Sequence, residues 1–409
     1  MTVKIKSIAF LTMLSSFTSY ASDISFTDPV DQRFDMGEYM AEKAVGFLPV
    51  PIIITEPAVG YGGGIVGLFL HETEEEKQQR KVASLSAIDG GAQLVPAAMS
   101  VVGALGTENG TWFALGGHRR SWKGDSIRYT GGGGLGVANI DIYKNISTPE
   151  IEIPAIPGFP GFPGFTIGPI DKTLSYGTKT KVAALMQQVQ FRVANTPLML
   201  GIKQVAAISS VESDNESVSK IIQYALGDEA VSSGLGILAE YDTRDNLFYP
   251  TKGFQLSADY MIYDEALGSD YNYDHFNFDG QGFIPLASKW TLGLAGNYQY
   301  FKEKDTQVTP TSKPYVKLRG VSSFRYQGDE ISTVQSQITY SIDNRWKVSA
   351  FYGIGKAIND HDDATSDSVQ AGGVGFRYQI ARRYGLHIGM DYARSKDEDA
   401  IYFNVGSGF

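Results

Sequence analysis

Ala400-Ile401-Tyr402-Phe403-Asn404-Val405-Gly406-Ser407-Gly408-Phe409 alternates in polarity and ends on an aromatic residue. Free termini usually fray in water, so a soluble domain has little reason to place an apolar strand there. An outer-membrane barrel does: its last strand closes the sheet onto the first, and a terminal Phe lies in the aromatic girdle at the membrane interface. Together with fifteen strand-length segments before it, the stretch predicts an all-β fold, a 16-stranded antiparallel transmembrane β-barrel.

The start of the chain agrees. Residues 1–21 have the build of a secretory signal peptide: Lys4 and Lys6, an apolar stretch over 8–17, and the small-residue site Ser19-Tyr20-Ala21. Cleavage there leaves Ser22 first. No later run reaches the ~20 apolar residues of a membrane helix. With no Cys there is no lipid-anchor cysteine, disulfide framework or thiolate metal site. Removing Lys4 and Lys6 takes the formal charge from -10 to -12, and no basic stripe suits nucleic acid. Gly at 46 of 409 residues and 12% aromatics suit a wall in which every second residue meets lipid.

Residues 22–56 precede the wall as a periplasmic or lumenal segment. Asp35 and Glu38 have capping-box spacing, Met36, Tyr39, Met40 and Ala44 share a face, and Gly46 stops this short helix. Pro49, Pro51 and Pro57 then exclude a central strand over 47–57. The barrel is expected over 57–409, with sixteen strands near 58–71, 82–91, 97–107, 111–122, 126–143, 176–193, 198–211, 234–248, 253–263, 273–286, 290–301, 331–342, 346–357, 369–380, 384–394 and 400–409. The period of two in Leu386-His387-Ile388-Gly389-Met390-Asp391-Tyr392 puts large apolar side chains on lipid and small or polar ones in the lumen. Short turns at 195–197, 249–252, 288–289, 343–345 and 382–383 are expected in the periplasm. Long loops at 213–233, 302–330 and 359–368 are expected outside. The charged stretch 72–81 suggests a solvated loop. The Pro-Gly-Phe repeats of 153–165 favour extended backbone without a ladder, and leave open a lumenal plug or a partner surface.

His71, His118, His275, His361 and His387 show no metal-ligand spacing, so surface or lumenal roles are expected. No nucleophile elbow or Ser/His/Asp arrangement stands out, and neither an enzyme, a cofactor nor a metal is expected.

Four further places resemble one family. Val316-Lys317-Leu318-Arg319-Gly320-Val321 is similar to the Arg-Gly loop motif of the BamA/TamA-type outer-membrane assembly and transport superfamily, the bacterial surface antigen family. Tyr241-Asp242-Thr243-Arg244-Asp245-Asn246-Leu247-Phe248-Tyr249-Pro250-Thr251-Lys252-Gly253 resembles its signature turn after the eighth strand. Phe351-Tyr352-Gly353-Ile354-Gly355 is similar to its Phe-x-Asp-x-Gly segment on the thirteenth. The Gly-rich first strand and Phe-ended last strand also match.

The resemblance implies a sixth outer loop folded back into the lumen, with Leu318, Arg319 and Gly320 at the inner wall. A guanidinium drawn from water needs planar acceptors. The family's Asp is replaced by Gly353, so Arg319 needs another carboxylate: Asp391 first, with Glu240 and Asp242 behind it, and Arg377 sharing the network. About 35 residues before the barrel are too few for a POTRA domain of ~75, so the resemblance is to short members lacking one.

The resemblance points to an integral outer-membrane protein aiding protein or lipid insertion or translocation at the seam, where Gly62, Gly63 and Gly64 are expected to face Val405, Gly406 and Phe409. Gly weakens strand packing, which suits edge addition by a client, or simply allows curvature at closure. A passive or plugged pore, and a barrel acting with a separate periplasmic protein, stay open. Expected partners are outer-membrane lipid and lipopolysaccharide, and the barrel assembly machinery that inserts it through the C-terminal strand.

Overall fold

The computed structural model describes residues 25–42, 47–55, 58–86, 98–148, 151–153, 165–167, 170–213, 229–304, 308, 312–359 and 365–408. Sixteen antiparallel strands form one nearly closed barrel. They are β1 (Phe47–Ile54), β2 (Gly62–His71), β3 (Ala98–Thr107), β4 (Trp112–Trp122) and β5 (Ile127–Thr148). A separate hairpin, β6 (Ile151–Ile153) and β7 (Phe165–Ile167), follows. The wall continues with β8 (Ile170–Arg192), β9 (Leu198–Ser213), β10 (Ala230–Asp242), β11 (Gly253–Tyr263), β12 (Tyr273–Ala287) and β13 (Trp290–Glu303). It ends with β14 (Glu330–Ser341), β15 (Trp346–Asn359), β16 (Thr365–Ala381), β17 (Leu386–Ser395) and β18 (Asp399–Val405). Each strand pairs with its neighbour in sequence, and β5 pairs with β8. Among the described residues two α-helices, α1 (Gly37–Glu42) and α2 (Glu74–Ser86), lie at the rim of short turns, both against residues 382–384. Among the described residues no helix is long and apolar enough to cross a membrane, and that says nothing of strands.

The wall is inverted relative to a soluble sheet. In β15, Val348, Tyr352 and Ile354 are exposed while Phe351 is buried. Ile65, Ile237, Val334 and Val374 are more than half exposed. A continuous apolar exterior of this kind needs an apolar solvent. Closure then satisfies backbone groups that lipid cannot.

Several expectations are corrected. The segment whose prolines exclude a central strand is nonetheless a strand at the edge, β1: Phe47 pairs with Phe69, Pro51 with Ile65 and Ile54 with Gly62. Pro49 and Pro51 are tolerated because β1 is an edge, with no ladder on its far side among the described residues. The sheet therefore begins at Phe47, not residue 57, and the expected first strand is the second. The strand expected over 82–91 is absent as far as Ser86, where α2 runs instead; 87–91 lie outside the described residues. The helix is capped reciprocally: Glu76 N donates to Thr73 Oγ1 at 3.2 Å, and Thr73 N to Glu76 Oε2 at 2.8 Å. The expected number of strands survives because one strand gained offsets one lost.

The C-terminus is corrected too. The last strand ends at Val405, and Gly406 and Gly408, at φ of +100° and +97°, turn the chain into the lumen. Phe409, the expected signal peptide over 1–21 and residues 154–164 of the Pro-Gly-Phe segment lie outside the described residues.

Candidate functional site

The loop between β13 and β14 enters the lumen along a track prepared by glycines. A Cβ at Gly353 would lie 2.5 Å from Leu318 Cδ1 and 2.7 Å from Gln335 Cγ, and one at Gly355 would collide with Val316. Val316, Leu318 and Val321 thereby reach Ile331, Ala357, Val369 and Ala371 in one buried cluster. The absent carboxylate at Gly353 is thus space used by Leu318. A tight turn follows, in which Val321 N donates to Leu318 O at 3.1 Å. Its residue Gly320 has φ of +87°, and a Cβ there would meet Arg394 N at 3.0 Å, so only Gly suits both conformation and space. Gly320 N donates to Tyr402 Oη at 2.9 Å, and Ser322 and Arg325 both bond to Glu398.

This turn delivers Arg319 to the inner wall. Its Nη1 lies 2.8 Å from Asp391 Oδ2, both terminal nitrogens donate to Gln337 Oε1 at 3.2 Å, and the guanidinium stacks 3.5 Å from the Phe351 ring centroid. Arg377 grips the same carboxylate bidentately, at 2.7 and 2.8 Å. Asn404 Nδ2 adds a third donor to Asp391 at 2.7 Å. Asp391 is fully buried, and a Cβ at Gly375 would collide with its carboxylate. The turned-in C-terminus completes the knot: Arg377 Nε donates to Gly406 O at 3.0 Å and Gln337 Nε2 to Ser407 O at 3.2 Å.

Of the proposed carboxylates, Asp391 meets Arg319, with Arg377 sharing it. Glu240 and Asp242 do not. Glu240 accepts from Arg128 Nη1 at 2.6 Å and Gln190 at 3.2 Å, and Asp242 from Arg244 at 2.8 Å. Both are held by nearer cations on their own side of the lumen.

The seam also differs from expectation. Gly62, Gly63 and Gly64 sit in β2, paired on both sides, so they are not at the seam. The strands that meet are β1 and β18. Between them Thr55 Oγ1 donates to Ile401 O at 2.5 Å and accepts from Ile401 N at 2.6 Å. Val405 is on the edge strand and Gly406 just past it, its N–H donating back to His387 O at 2.8 Å. Inside, Leu48, Val50, Leu68 and Leu70 pack with Ala381, Tyr384 and Leu386 across the junction, with Met40 of α1 among them.

The Omp85 superfamily domain matches residues 170–409, more than half of the chain. The chain belongs to the Omp85 superfamily. No curated protein matches it. Among solved structures, BamA from Haemophilus ducreyi lacking POTRA domains 1-3 is similar at TM-score 0.52 and 13% identity, over 89% of this chain and 70% of that one. CdiB from Escherichia coli gives TM-score 0.54 at 9% identity, over 88% and 62%, and CdiB from Acinetobacter baumannii 0.51 at 9%, over 89% and 59%. This chain thus spans about three fifths of either CdiB. At these identities the likeness is one of fold.

The matched Omp85 region starts at β8, yet β1 to β5 complete the same sheet. The short-turn rim of this Omp85 barrel carries a second buried network that sequence reasoning missed. Arg345, fully buried, donates to Asp28 at 2.6 Å, Asp31 at 2.5 Å and Asp35 at 2.5 Å. Arg382 bonds to Asp28, and its backbone N–H to Asp35 at 2.8 Å. Burial works against both charges. Even so, the bonds from Arg382 hold Asp28, and those from Arg345 hold Asp31, below the usual carboxylate range, while Arg345 is raised. Residues 25–42 are thereby moored to the β14–β15 and β16–β17 turns. The helix α2 docks beside them, with Arg80 bonded to Glu72 at 2.7 Å and Tyr384 to Glu72 at 3.1 Å. The spacing Thr73-x-x-Glu76 and the three Asp of 28–35 were the available signals.

The signature turn reaches the same rim. Asp245 accepts from Thr251 N and Lys252 N, and Asn246 from Phe248 N and Tyr249 N. Tyr249 stacks 4.0 Å from His387, and burial pushes its hydroxyl up to about 12, so it stays protonated.

Proposed function

We propose that the chain is an integral bacterial outer-membrane barrel that aids insertion or translocation of protein or lipid through the junction of β1 and β18. The role is non-enzymatic. The short-turn rim with α1 and α2 lies in the periplasm and the long loops outside; the apolar exterior and Omp85 membership support this location. One observation carries the functional reading. Among the described residues the closing strands are hydrogen-bonded through a single Thr side chain and otherwise meet only by apolar packing, where every other neighbouring pair has a ladder. Unpaired backbone groups in lipid cost several kcal/mol each, so an unladdered edge favours addition of a client strand. The family resemblance to assembly and transport proteins agrees. Insertion of the chain itself by the barrel assembly machinery, contact with lipopolysaccharide, and docking of a separate periplasmic protein at the α1–α2 rim belong to the same proposal.

The chain lacks native Cys, so Ile53→Cys with Phe403→Cys gives a clean lock across the junction. Proteoliposomes containing the reduced variant are expected to speed insertion of a urea-unfolded eight-stranded barrel, scored by gel mobility. Oxidation should slow it at least fivefold. Equal rates in both states would sink the seam mechanism.

A second reading, a plugged barrel without traffic, draws on the loop of Arg319 filling the lumen. Planar-bilayer recording separates the two: large steady conductance contradicts a plug.

A further inference from the structure

Strand register divides wall residues into lumenal and outward sets. Ile65, Val102, Leu135, Leu185, Ile208 and Ile237 share the outward set and are at least half exposed. The same set, toward the short-turn rim, holds a run of polar groups. Ser100 Oγ lies 2.9 Å from His71 Nε2 and 2.8 Å from His118 Nδ1. Arg120, exposed, lies over Trp122 at 5.5 Å from the ring centroid. No carboxylate among the described residues pairs with it. On β5, Tyr129 is opposite Arg120. Tyr129 Oη donates to Gln187 Oε1 at 3.5 Å, and Gln187 Nε2 to Gln204 Oε1 at 2.7 Å. Near the same rim, outward residues of later strands are apolar or aromatic: Phe191, Phe254, Leu286, Trp290, Trp346 and Phe376.

Depth follows from position along each strand. Arg120 lies two residues from the end of β4 and Gln204 six from the start of β9. At ~3.3 Å per residue and ~40° of tilt these are about 5 and about 15 Å above the rim. The run therefore climbs from headgroup level toward the middle of the apolar band. Polar groups in hydrocarbon are costly unless a partner meets them. Above them lies a shallow apolar depression of about 710 Å³ floored by Gly116, Gly133, Ala183 and Ala206.

We propose that the outward face of β2 to β9 binds one phospholipid of the periplasmic leaflet. Its phosphodiester sits at Arg120, His118 and His71, its glycerol ester oxygens meet the Tyr129 hydroxyl and the Gln187 and Gln204 amides, and an acyl chain fills the depression. A phosphodiester supplies the anion that Arg120 lacks, at the depth where headgroups lie, and its esters are acceptors placed deeper, as the amides are. Assignment to the periplasmic leaflet rests on the proposed orientation; binding does not.

The test uses delipidated full chain in detergent and native mass spectrometry. The probes are dipalmitoyl phosphatidylglycerol and dipalmitoylglycerol, which has the same tails and no phosphate. The wild type should hold one phosphatidylglycerol at least about tenfold more tightly than the diacylglycerol, as charge-assisted bonds imply. Arg120→Ala/His118→Ala should lose that preference while keeping folded gel mobility; Arg394→Ala, at the opposite rim, should keep it. Should the double variant fail to fold, Tyr129→Phe/Gln187→Leu should still weaken binding of both lipids. Equal affinity for the two lipids, unchanged binding in both variants, or lipid-free dimers through this face would overturn the proposal. None of these outcomes depends on seam traffic.

Discussion

Arg319 and Arg345 both fasten a segment to the inner wall, but their ion pairs share out carboxylates in opposite ways. At Arg319 two guanidiniums, with Arg377, share the single carboxylate of Asp391. Other contacts there include an amide, a ring and the carbonyls of the turned-in C-terminus. At Arg345 two guanidiniums, with Arg382, face three carboxylates. The first network turns on one shared carboxylate, so it is specific in geometry and fragile at one residue. The second has redundant anions and one indispensable cation. The first ties loop, wall and C-terminus together, whereas the second moors residues 25–42 to two turns.

The largest test removes the shared anion. Asp391→Ala removes the carboxylate that two buried guanidiniums share and should cost about 3–5 kcal/mol, read as a lowered urea midpoint of barrel unfolding. Arg345→Ala should cost about 3 kcal/mol, but locally. Limited proteolysis would then cut within residues 25–42 while the barrel midpoint hardly moves. Cleavage resistance equal to wild type would break the comparison. Gly353→Asp restores the carboxylate expected of the family, yet it invades the Leu318 site. It should cost about 1–3 kcal/mol by overpacking, and Leu318→Ala should recover part of that. A gain in stability from Gly353→Asp alone would mean that charge outweighs packing there. Asp31→Asn is the mildest change, since Asp28 and Asp35 remain, and about 1 kcal/mol is expected.

pH sharpens the contrast at the rim. Asp28 and Asp31 have folded values below their unfolded value near 3.9. Their contribution is present above that value and lost as pH falls through the folded values. Protection of 25–42 from hydrogen exchange, relative to the intrinsic rate at each pH, should therefore be high at pH 7 and pH 5 and fall at a pH below the folded values. Equal protection at all three would remove these carboxylates from the mooring.

Much of the wall was legible because alternation has one cause, lipid on one side and water on the other. From β8 onward, strand positions agree with expectation to within a few residues at most ends. The first half was harder. β1 carries two prolines that usually deny a strand, and only its place at the edge permits them. The capping box at Thr73 and Glu76 is readable, but the charges of 72–81 suit a solvated loop equally well. Within the lumen, inward phase pointed to Asp391 as a partner of Arg319. Phase alone did not exclude Glu240 and Asp242, because it cannot show which cation already occupies a carboxylate.

The sequence by itself determined the architecture: period-two alternation, turn spacing and the aromatic last strand leave a closed antiparallel wall as the solution in lipid. The tertiary structure decided the closure and its furniture. Which strands meet is set by where the ring ends, so the junction fell to β1 rather than to the Gly-rich β2. Whether Gly353 is a loss or a fit depends on Leu318, more than thirty residues away in the chain. The direction of the last residues depends on two glycines able to turn and on Arg377 waiting in the lumen. Each is a contact between segments distant in sequence, which periodicity along one strand does not encode.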